Sequence, residues 1–210
     1  MFALINDYAN LEEFSKASRE ILLRLFNNRN ELRNMILSAS ENVDLLPLCV
    51  RYNAVDKLVL WNSEDQKMQL RLHVYSGPIE NVMNPSQISI KEIHNHRWNF
   101  SSIILFGGYL HTIYGIDRGV EHQIPVMVRY EGVGACYTIH HSQYHSIIED
   151  PGTVTLIFRG PLEKERFQII QGTENSDESL LEIKEEKNRK TISREQYGCL
   201  IDKLAALGVI

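Results

Sequence analysis

The strongest constraint on the fold is a long succession of short segments in which apolar and polar residues alternate. This alternation is typical of half-buried strands, because successive side chains of a strand point to opposite faces. The predicted strands are 57–61, 68–75, 88–96, 100–106, 109–114, 125–131, 135–139, 144–148, 153–159 and 166–171. Turn-forming residues such as Gly107-Gly108 and Asp150-Pro151-Gly152 separate several of them. Short strands at this spacing, with no helix between them, predict a mainly β fold, an antiparallel barrel or jelly roll.

Amphipathic helices are expected on either side of the strands. Asn10 is the predicted N-cap of a first helix, with Glu13 at the third helical position, and a similar apolar pattern covers about 30–39. Ser193, followed by Gln196, predicts a final helix. The expected organisation is a helical N-terminal cap over 1–50, a barrel over 56–171, a charged linker over 172–190 and a C-terminal helix over 191–210.

Charge and composition restrict the partners that we expect. The 210 residues carry a formal net charge of −5, which argues against nucleic acid or an anionic membrane surface as the main partner. No apolar run is long enough for a membrane span, and the first residues lack the pattern of a secretory signal. Three widely spaced cysteines favour reduced thiols over a disulfide framework. We therefore expect a cytoplasmic protein whose main partner is neither nucleic acid nor a membrane.

The histidines, which are candidate metal ligands and acid–base groups, all lie in the middle of the chain. All eight lie between His73 and His145, and His94-Asn95-His96 would place two imidazoles on one face of a strand. Two such rings can reach one cation, and a later strand can supply a third from His140, His141 or His145. Three neutral nitrogen ligands suit Fe(II), Zn, Cu or Ni and leave coordination positions free.

Two segments resemble the conserved motifs of the cupin superfamily. HNHRWNFSSIILFGG is similar to the first motif, and GVGACYTIHHSQYHSI is similar to the second. The resemblance covers about residues 68–161 and implies a conical antiparallel barrel with a metal inside. The metal ligands that it implies are His94, His96 and His145, with His140 or His141 as alternatives to His145.

The chain departs from the family pattern at two places. The position of the first motif's glutamate is occupied by Phe100 or Ser101, which leaves a three-histidine site like that of the thiol dioxygenases within the superfamily. The Ser-His-Tyr run of those enzymes is absent, and Phe158 stands where its tyrosine would be expected. The resemblance therefore implies metal binding more directly than it implies thiol oxidation.

Three further residues are candidates for contact with a substrate. Arg71 and His73 share one face of their predicted strand with Tyr75, and this face points either to the lumen or to solvent. In the lumen, Arg71 would grip a carboxylate and His73 would act as a base or support a metal ligand. Arg159 is a carboxylate clamp or part of a structural ion pair.

His111 and Tyr114 point to opposite faces of one strand, and either would orient a ligating ring through a hydrogen bond.

The function that we predict is that of a mononuclear non-heme metalloenzyme, an Fe(II)-dependent dioxygenase that acts on a small polar or anionic molecule. The alternatives are a non-redox Zn or Ni cupin isomerase, lyase or hydrolase, and a cupin that binds a small ligand without turnover. The sequence leaves the oligomeric state open; the resemblance is compatible with a homodimer, because cupins often pair through sheet edges.

Overall fold

The computed structural model describes residues 10–52, 54–76, 93–116, 123–170 and 189–210. The helices in these ranges are α1 (Leu11–Asn27), α2 (Arg29–Glu41) and α3 (Arg194–Ala206), with a short 3-10 helix at Leu46–Leu48. Asn10 caps α1 by accepting a hydrogen bond from the backbone N–H of Glu13 at 3.0 Å. Ser193 and Gln196 form a reciprocal capping box at the start of α3. The predicted caps of α1 and α3 are confirmed.

Two antiparallel sheets contain all the described strands. The strands are β1 (Val50–Tyr52), β2 (Val55–Asn62), β3 (Gln69–Tyr75), β4 (Ile93–His94), β5 (Trp98–Phe106), β6 (Gly108–Ile116), β7 (Gln123–Gly132), β8 (Cys136–Ile139), β9 (Tyr144–Glu149), β10 (Val154–Leu162), β11 (Ile169–Ile170) and β12 (Lys190–Thr191). The larger sheet has the order β12-β1-β2-β3-β10-β5-β8, and the smaller has the order β11-β4-β9-β6-β7. The predicted fold class is confirmed: the protein is mainly β, with a jelly-roll pair of sheets, N-terminal helices and a C-terminal helix.

Every predicted strand overlaps an observed one, but the lengths differ. Of the predicted strand 88–96, only Ile93–His94 is extended and paired, and 88–92 lie outside the described residues. The strands β1 and β12 were not predicted. Within the predicted linker, 172–188 lie outside the described residues, whereas Lys190 belongs to β12.

The helices pack on the outer face of the seven-stranded sheet. Phe14 and Leu22 of α1 belong to the same buried cluster as Leu70, Leu72 and Val74 of β3. Since side chains alternate along a strand, Arg71, His73 and Tyr75 point the other way, towards the smaller sheet. The sequence left open whether these three side chains point to the lumen or to solvent, and the structure shows that they point to the interior between the sheets.

Phe158 has a different location from the one expected for a tyrosine of the active site. Its side chain is fully buried and contacts the rings of Phe14 and Trp61 beneath the helices. Because β10 alternates, its inward-facing residues are instead Thr155, Ile157 and Arg159.

Between β5 and β6 the chain passes from the larger to the smaller sheet through one residue, Gly107. This glycine connects the end of β5 to the start of β6 and has a φ of +67°, which is unfavourable for residues with a side chain. A Cβ atom there would lie 2.7 Å from Thr153 Oγ1. The Thr153 hydroxyl accepts a hydrogen bond from Gly108 N at 3.1 Å and lies 2.7 Å from Gly108 O. The corner between the sheets is therefore closely packed.

Within the described ranges, no helix has the length and hydrophobicity that a bilayer span requires.

Candidate metal centre

The structure brings His94, His96 and His145 together on the inner side of the smaller sheet. His94 on β4 is the direct cross-strand partner of His145 on β9, and His96 follows two residues later. Each residue offers a potential ligand atom, and these atoms lie within 4.8 Å of one another. The Nε2 atoms of His96 and His145 are 2.7 Å apart. Among the described residues, this histidine cluster contains no carboxylate.

Asn95 fixes the backbone that carries two of these rings. Its side chain is buried, accepts a hydrogen bond from Gln168 N at 2.8 Å and donates one to Gln168 Oε1 at 3.1 Å. Asn95 N also donates to Gln168 O at 3.1 Å. The residue between the two histidines is thus anchored to the neighbouring chain segment while the imidazoles point inward.

Burial favours the neutral form of two of the clustered imidazoles. It lowers the pKa of His96 and His145 well below the usual histidine value, and the neighbouring imidazoles lower it further. A neutral imidazole has a free lone pair on one nitrogen, and this lone pair is what a metal ion needs.

The geometry of the histidine cluster fits a metal ion. Two nitrogen ligands of one ion, each about 2.0–2.1 Å from it, lie about 3 Å apart when they subtend a right angle. The His96–His145 separation of 2.7 Å is close to this value, so a small ring rotation would suffice. The chemistry of three neutral imidazoles is compatible with Fe(II), Zn, Cu or Ni.

A fourth histidine, His111, contacts His145 on the side of the ring that faces away from the cluster. His111 is fully buried, and its Nε2 lies 3.0 Å from His145 Nδ1. On its other side, His111 Nδ1 lies 3.4 Å from Glu131 Oε1, which also accepts a hydrogen bond from Arg129 Nε. Of the two residues expected to contact a ligating ring, His111 does so, whereas the Tyr114 hydroxyl contacts Ser146.

His140 and His141 lie outside the cluster. His140 Nδ1 is 2.7 Å from Ser142 Oγ, and His141 Nδ1 is 3.2 Å from Asn99 Oδ1. Neither ring belongs to the group of ligand atoms around His145. The structure therefore brings His145, rather than either alternative, to His94 and His96.

A cavity of about 270 Å³ lies between the sheets and is lined by all three clustered histidines. Its opposite wall, on the larger sheet, includes the three sequence candidates Arg71, His73 and Arg159. Trp98 lies near both arginines, with its ring centroid 5.7 Å from Arg71 Cζ and 4.7 Å from Arg159 Cζ. A cavity of this size suits a small molecule.

The contacts of the three candidates differ. The Arg71 guanidinium donates to Gln69 Oε1 at 2.7 Å, and Arg159 Nη2 lies 3.3 Å from the carbonyl oxygens of Gln66 and Lys67. Neither the Nε atom of Arg159 nor Nε2 of His73 has a hydrogen-bond partner in the described part of the chain, although both atoms are buried. Burial also lowers the pKa of His73 well below its usual value. Unpaired buried polar atoms are rare, and a bound ligand or water would satisfy them.

Three buried phenols complete the cavity, and sequence reasoning missed two of them. Tyr75, Tyr109 and Tyr137 line it, and the hydroxyls of Tyr109 and Tyr137 are in contact. Burial raises the pKa of all three. Only alternation along the strands, combined with the correct choice of face, could have placed Tyr109 and Tyr137 in the cavity.

No protein-family model matches the chain, and no curated protein sequence matches it. Solved structures that it resembles include an RmlC-like cupin from Shewanella frigidimarina, with 10% identity and a TM-score of 0.36 over 53% of this chain and 79% of that one. A cupin-2 domain from Rhodospirillum rubrum gives 15% identity and a TM-score of 0.38 over 59% and 68% of the two chains. The polyketide cyclase RemF from Streptomyces resistomycificus gives 14% and 0.39 over 60% and 78%. Because these identities and TM-scores are low, the description of the fold is based on the sheets of this chain and not on the solved structures.

Proposed function

We propose that this protein is a mononuclear non-heme metalloenzyme, an Fe(II)-dependent dioxygenase for a small anionic molecule. The observation that carries the proposal is the pairing of two features across one cavity. Three imidazoles lie on one wall, and the cationic side chains of Lys57, Arg71 and Arg159 lie on the other. The three-histidine set without a carboxylate corresponds to the thiol-dioxygenase type of cupin site.

His94, His96 and His145 would hold the ion, which when bound would supply Lewis acidity and redox chemistry. The cations on the facing wall would bind the charged group of the substrate, because guanidinium groups form paired hydrogen bonds with carboxylate or phosphate oxygens. Arg159 Nε is a buried donor in a suitable place for such a contact. The remaining wall, including Trp98 and Phe100, would restrict the access of water.

The phenols and His73 favour a second candidate, a non-redox Zn or Ni enzyme. The Tyr109 and Tyr137 hydroxyls contact each other, and His73 Nε2 is buried without a hydrogen-bond partner among the described residues. Groups of this kind can donate or accept a proton during isomerisation, elimination or hydrolysis. The identity of the bound metal distinguishes the two candidates.

Metal analysis of protein purified without added metal tests the proposal. We expect about one equivalent of iron. After reduction under anaerobic conditions and transfer to oxygenated buffer, the protein should take up oxygen when a substrate is present in a panel of small carboxylates and phosphates. The double variant His94→Ala/His96→Ala should lose the metal and the oxygen uptake. The matched control is His140→Ala/His141→Ala, which removes two neighbouring imidazoles from outside the cluster and should retain both.

Each of the other outcomes has a definite meaning. Stoichiometric zinc or nickel with no oxygen uptake would support the second candidate. Metal that persists in the His94→Ala/His96→Ala variant would show that the ligands are assigned incorrectly. A wild-type protein that binds none of these metals would leave only the role of a small-ligand-binding protein.

A further inference from the structure

A buried series of polar contacts extends from the histidine cluster to the outer part of β7. We call Arg129, Glu131, His111 and His145 the His145 relay. Its contacts are Arg129 Nε with Glu131 Oε1, Glu131 Oε1 with His111 Nδ1 at 3.4 Å, and His111 Nε2 with His145 Nδ1 at 3.0 Å. Glu131, His111 and His145 are at most 5% exposed, whereas the Arg129 side chain is 48% exposed.

The Glu131 carboxylate, which lies between Arg129 and His111 in the His145 relay, determines where each proton lies. An ionised carboxylate can only accept hydrogen bonds, so His111 must carry its proton on Nδ1. Neutral His111 then has a lone pair on Nε2, and it accepts a hydrogen bond from His145 Nδ1–H. Neutral His145 is left with its lone pair on Nε2, the atom that faces His96 Nε2 at 2.7 Å.

We infer that Glu131 and His111 are positioning residues that hold His145 in the tautomer able to bind a metal through Nε2. The inference rests on the proposed function, since it concerns the same three-histidine site. In the opposite tautomer, His145 would direct an N–H group into the cluster and could not ligate there. Such second contacts fix both the tautomer and the orientation of a ligating ring.

Glu131→Gln is a sharp test because it preserves the size and shape of the side chain. The amide NH₂ group can donate to His111 Nδ1, which would allow both histidines to adopt the opposite tautomer. Glu165→Gln is the matched control, because it removes the same charge from an exposed residue. Circular dichroism would establish that both variants are folded.

The first readout is the tautomer of His145, measured by long-range ¹H–¹⁵N correlation NMR on ¹⁵N-labelled, metal-free protein. We expect Nδ1–H in the wild type and in Glu165→Gln, and a loss of that preference in Glu131→Gln. A wild type with Nε2–H on His145 would overturn the inference without any variant. This measurement requires neither bound metal nor activity, so it stands even if the proposed function fails.

The second readout is metal affinity, from competition titrations with Zn(II) and, under anaerobic conditions, Fe(II). Glu131→Gln should bind about 10–100-fold more weakly than the wild type, and Glu165→Gln should bind equally well. If the wild type binds metal and Glu131→Gln binds it with the same affinity, Glu131 is not a positioning residue. A wild type that binds neither metal would instead contradict the proposed function.

Discussion

The hydroxyl group of Thr153 lies at the corner at which β5 passes into β6 and contacts the backbone there. It is fully buried, accepts a hydrogen bond from Gly108 N at 3.1 Å, and lies within 2.8 Å of the carbonyl oxygens of Gly108 and Asp150. Its one proton can be donated to only one of these carbonyls at a time. A single side chain therefore contacts backbone groups of two separate turns.

Replacement of Thr153 by valine should destabilise the protein. Valine has a similar shape but leaves the buried N–H of Gly108 without its acceptor, which costs about 1–3 kcal/mol. Urea denaturation followed by circular dichroism would measure the free energy of unfolding. Thr191→Val, on an exposed residue of β12, should change it by less than about 0.5 kcal/mol. Equal stabilities of the two variants would show that the Thr153 hydroxyl contributes nothing at this corner.

At the scale of residues, the histidine cluster was far more predictable than its support. Alternation within His94-Asn95-His96 and the position of His145 both pointed to one site, and these rings do meet. Glu131 was not singled out, because an acidic residue near the end of a strand is ordinary on a solvated face. Its importance arises from the cross-strand pairing of β6 and β7, which brings it to His111. One sequence does not specify that register.

The C-terminal helix α3 joins the molecule through its buried face and its capped first turn. Tyr197, Leu200 and Leu204 are buried in the main core, and the Tyr197 hydroxyl donates to Ile36 O at 3.1 Å. Gln196 N donates to Ser193 Oγ at 3.1 Å, and Ser193 N donates to Gln196 Oε1 at 2.9 Å. The cap thus satisfies two backbone donors at the start of the helix.

Ser193→Ala should lower the free energy of unfolding by about 1 kcal/mol, because the N–H of Gln196 loses its side-chain acceptor. Ser193→Asp is the informative control, since aspartate caps helices about as well as serine and should restore stability. The midpoint of urea denaturation would report both effects. If aspartate destabilised the protein as much as alanine does, the capping box would not be the source of the effect.

At the scale of elements, long alternating segments were predictable and short paired ones were not. The strands β3, β5 and β10 have seven to nine residues, enough for the alternation to be recognised. In contrast, β12 has two exposed residues, and it is a strand only because Lys190 and Thr191 pair with β1. The sequence also did not show which face of β3 packs against the helices. In the structure it is the face that carries Leu70, Leu72 and Val74.

For the molecule as a whole, the buried histidines couple folding to pH. Burial is the main cause that lowers the pKa of His73, His96, His111 and His145 in the folded protein. In the unfolded chain these groups titrate near pH 6.5. Below that pH the unfolded chain binds more protons than the folded one, so stability falls as the pH falls.

The free energy of unfolding of metal-free protein should therefore be constant with respect to these groups above about pH 6.5 and decrease below it. The slope approaches about 1.4 kcal/mol per pH unit for each histidine that stays neutral when folded. Urea denaturation in the presence of a chelator, between pH 7.5 and 5, would measure it. His73→Gln should reduce this slope by the contribution of one histidine, about 1.4 kcal/mol per pH unit. An unchanged slope would show that His73 does not contribute to the pH dependence of stability.

The single-residue crossing at Gly107 has a consequence for how such a protein could change during evolution. His94 and His145 are paired within one sheet, so their spacing does not depend on the angle between the two sheets. Arg71 and Arg159 belong to the other sheet, and their distance from the histidines varies with that angle. Mutations at the corner could therefore alter the size of molecule that is accepted while leaving the His94–His145 pair intact, so that selectivity and metal retention could evolve separately.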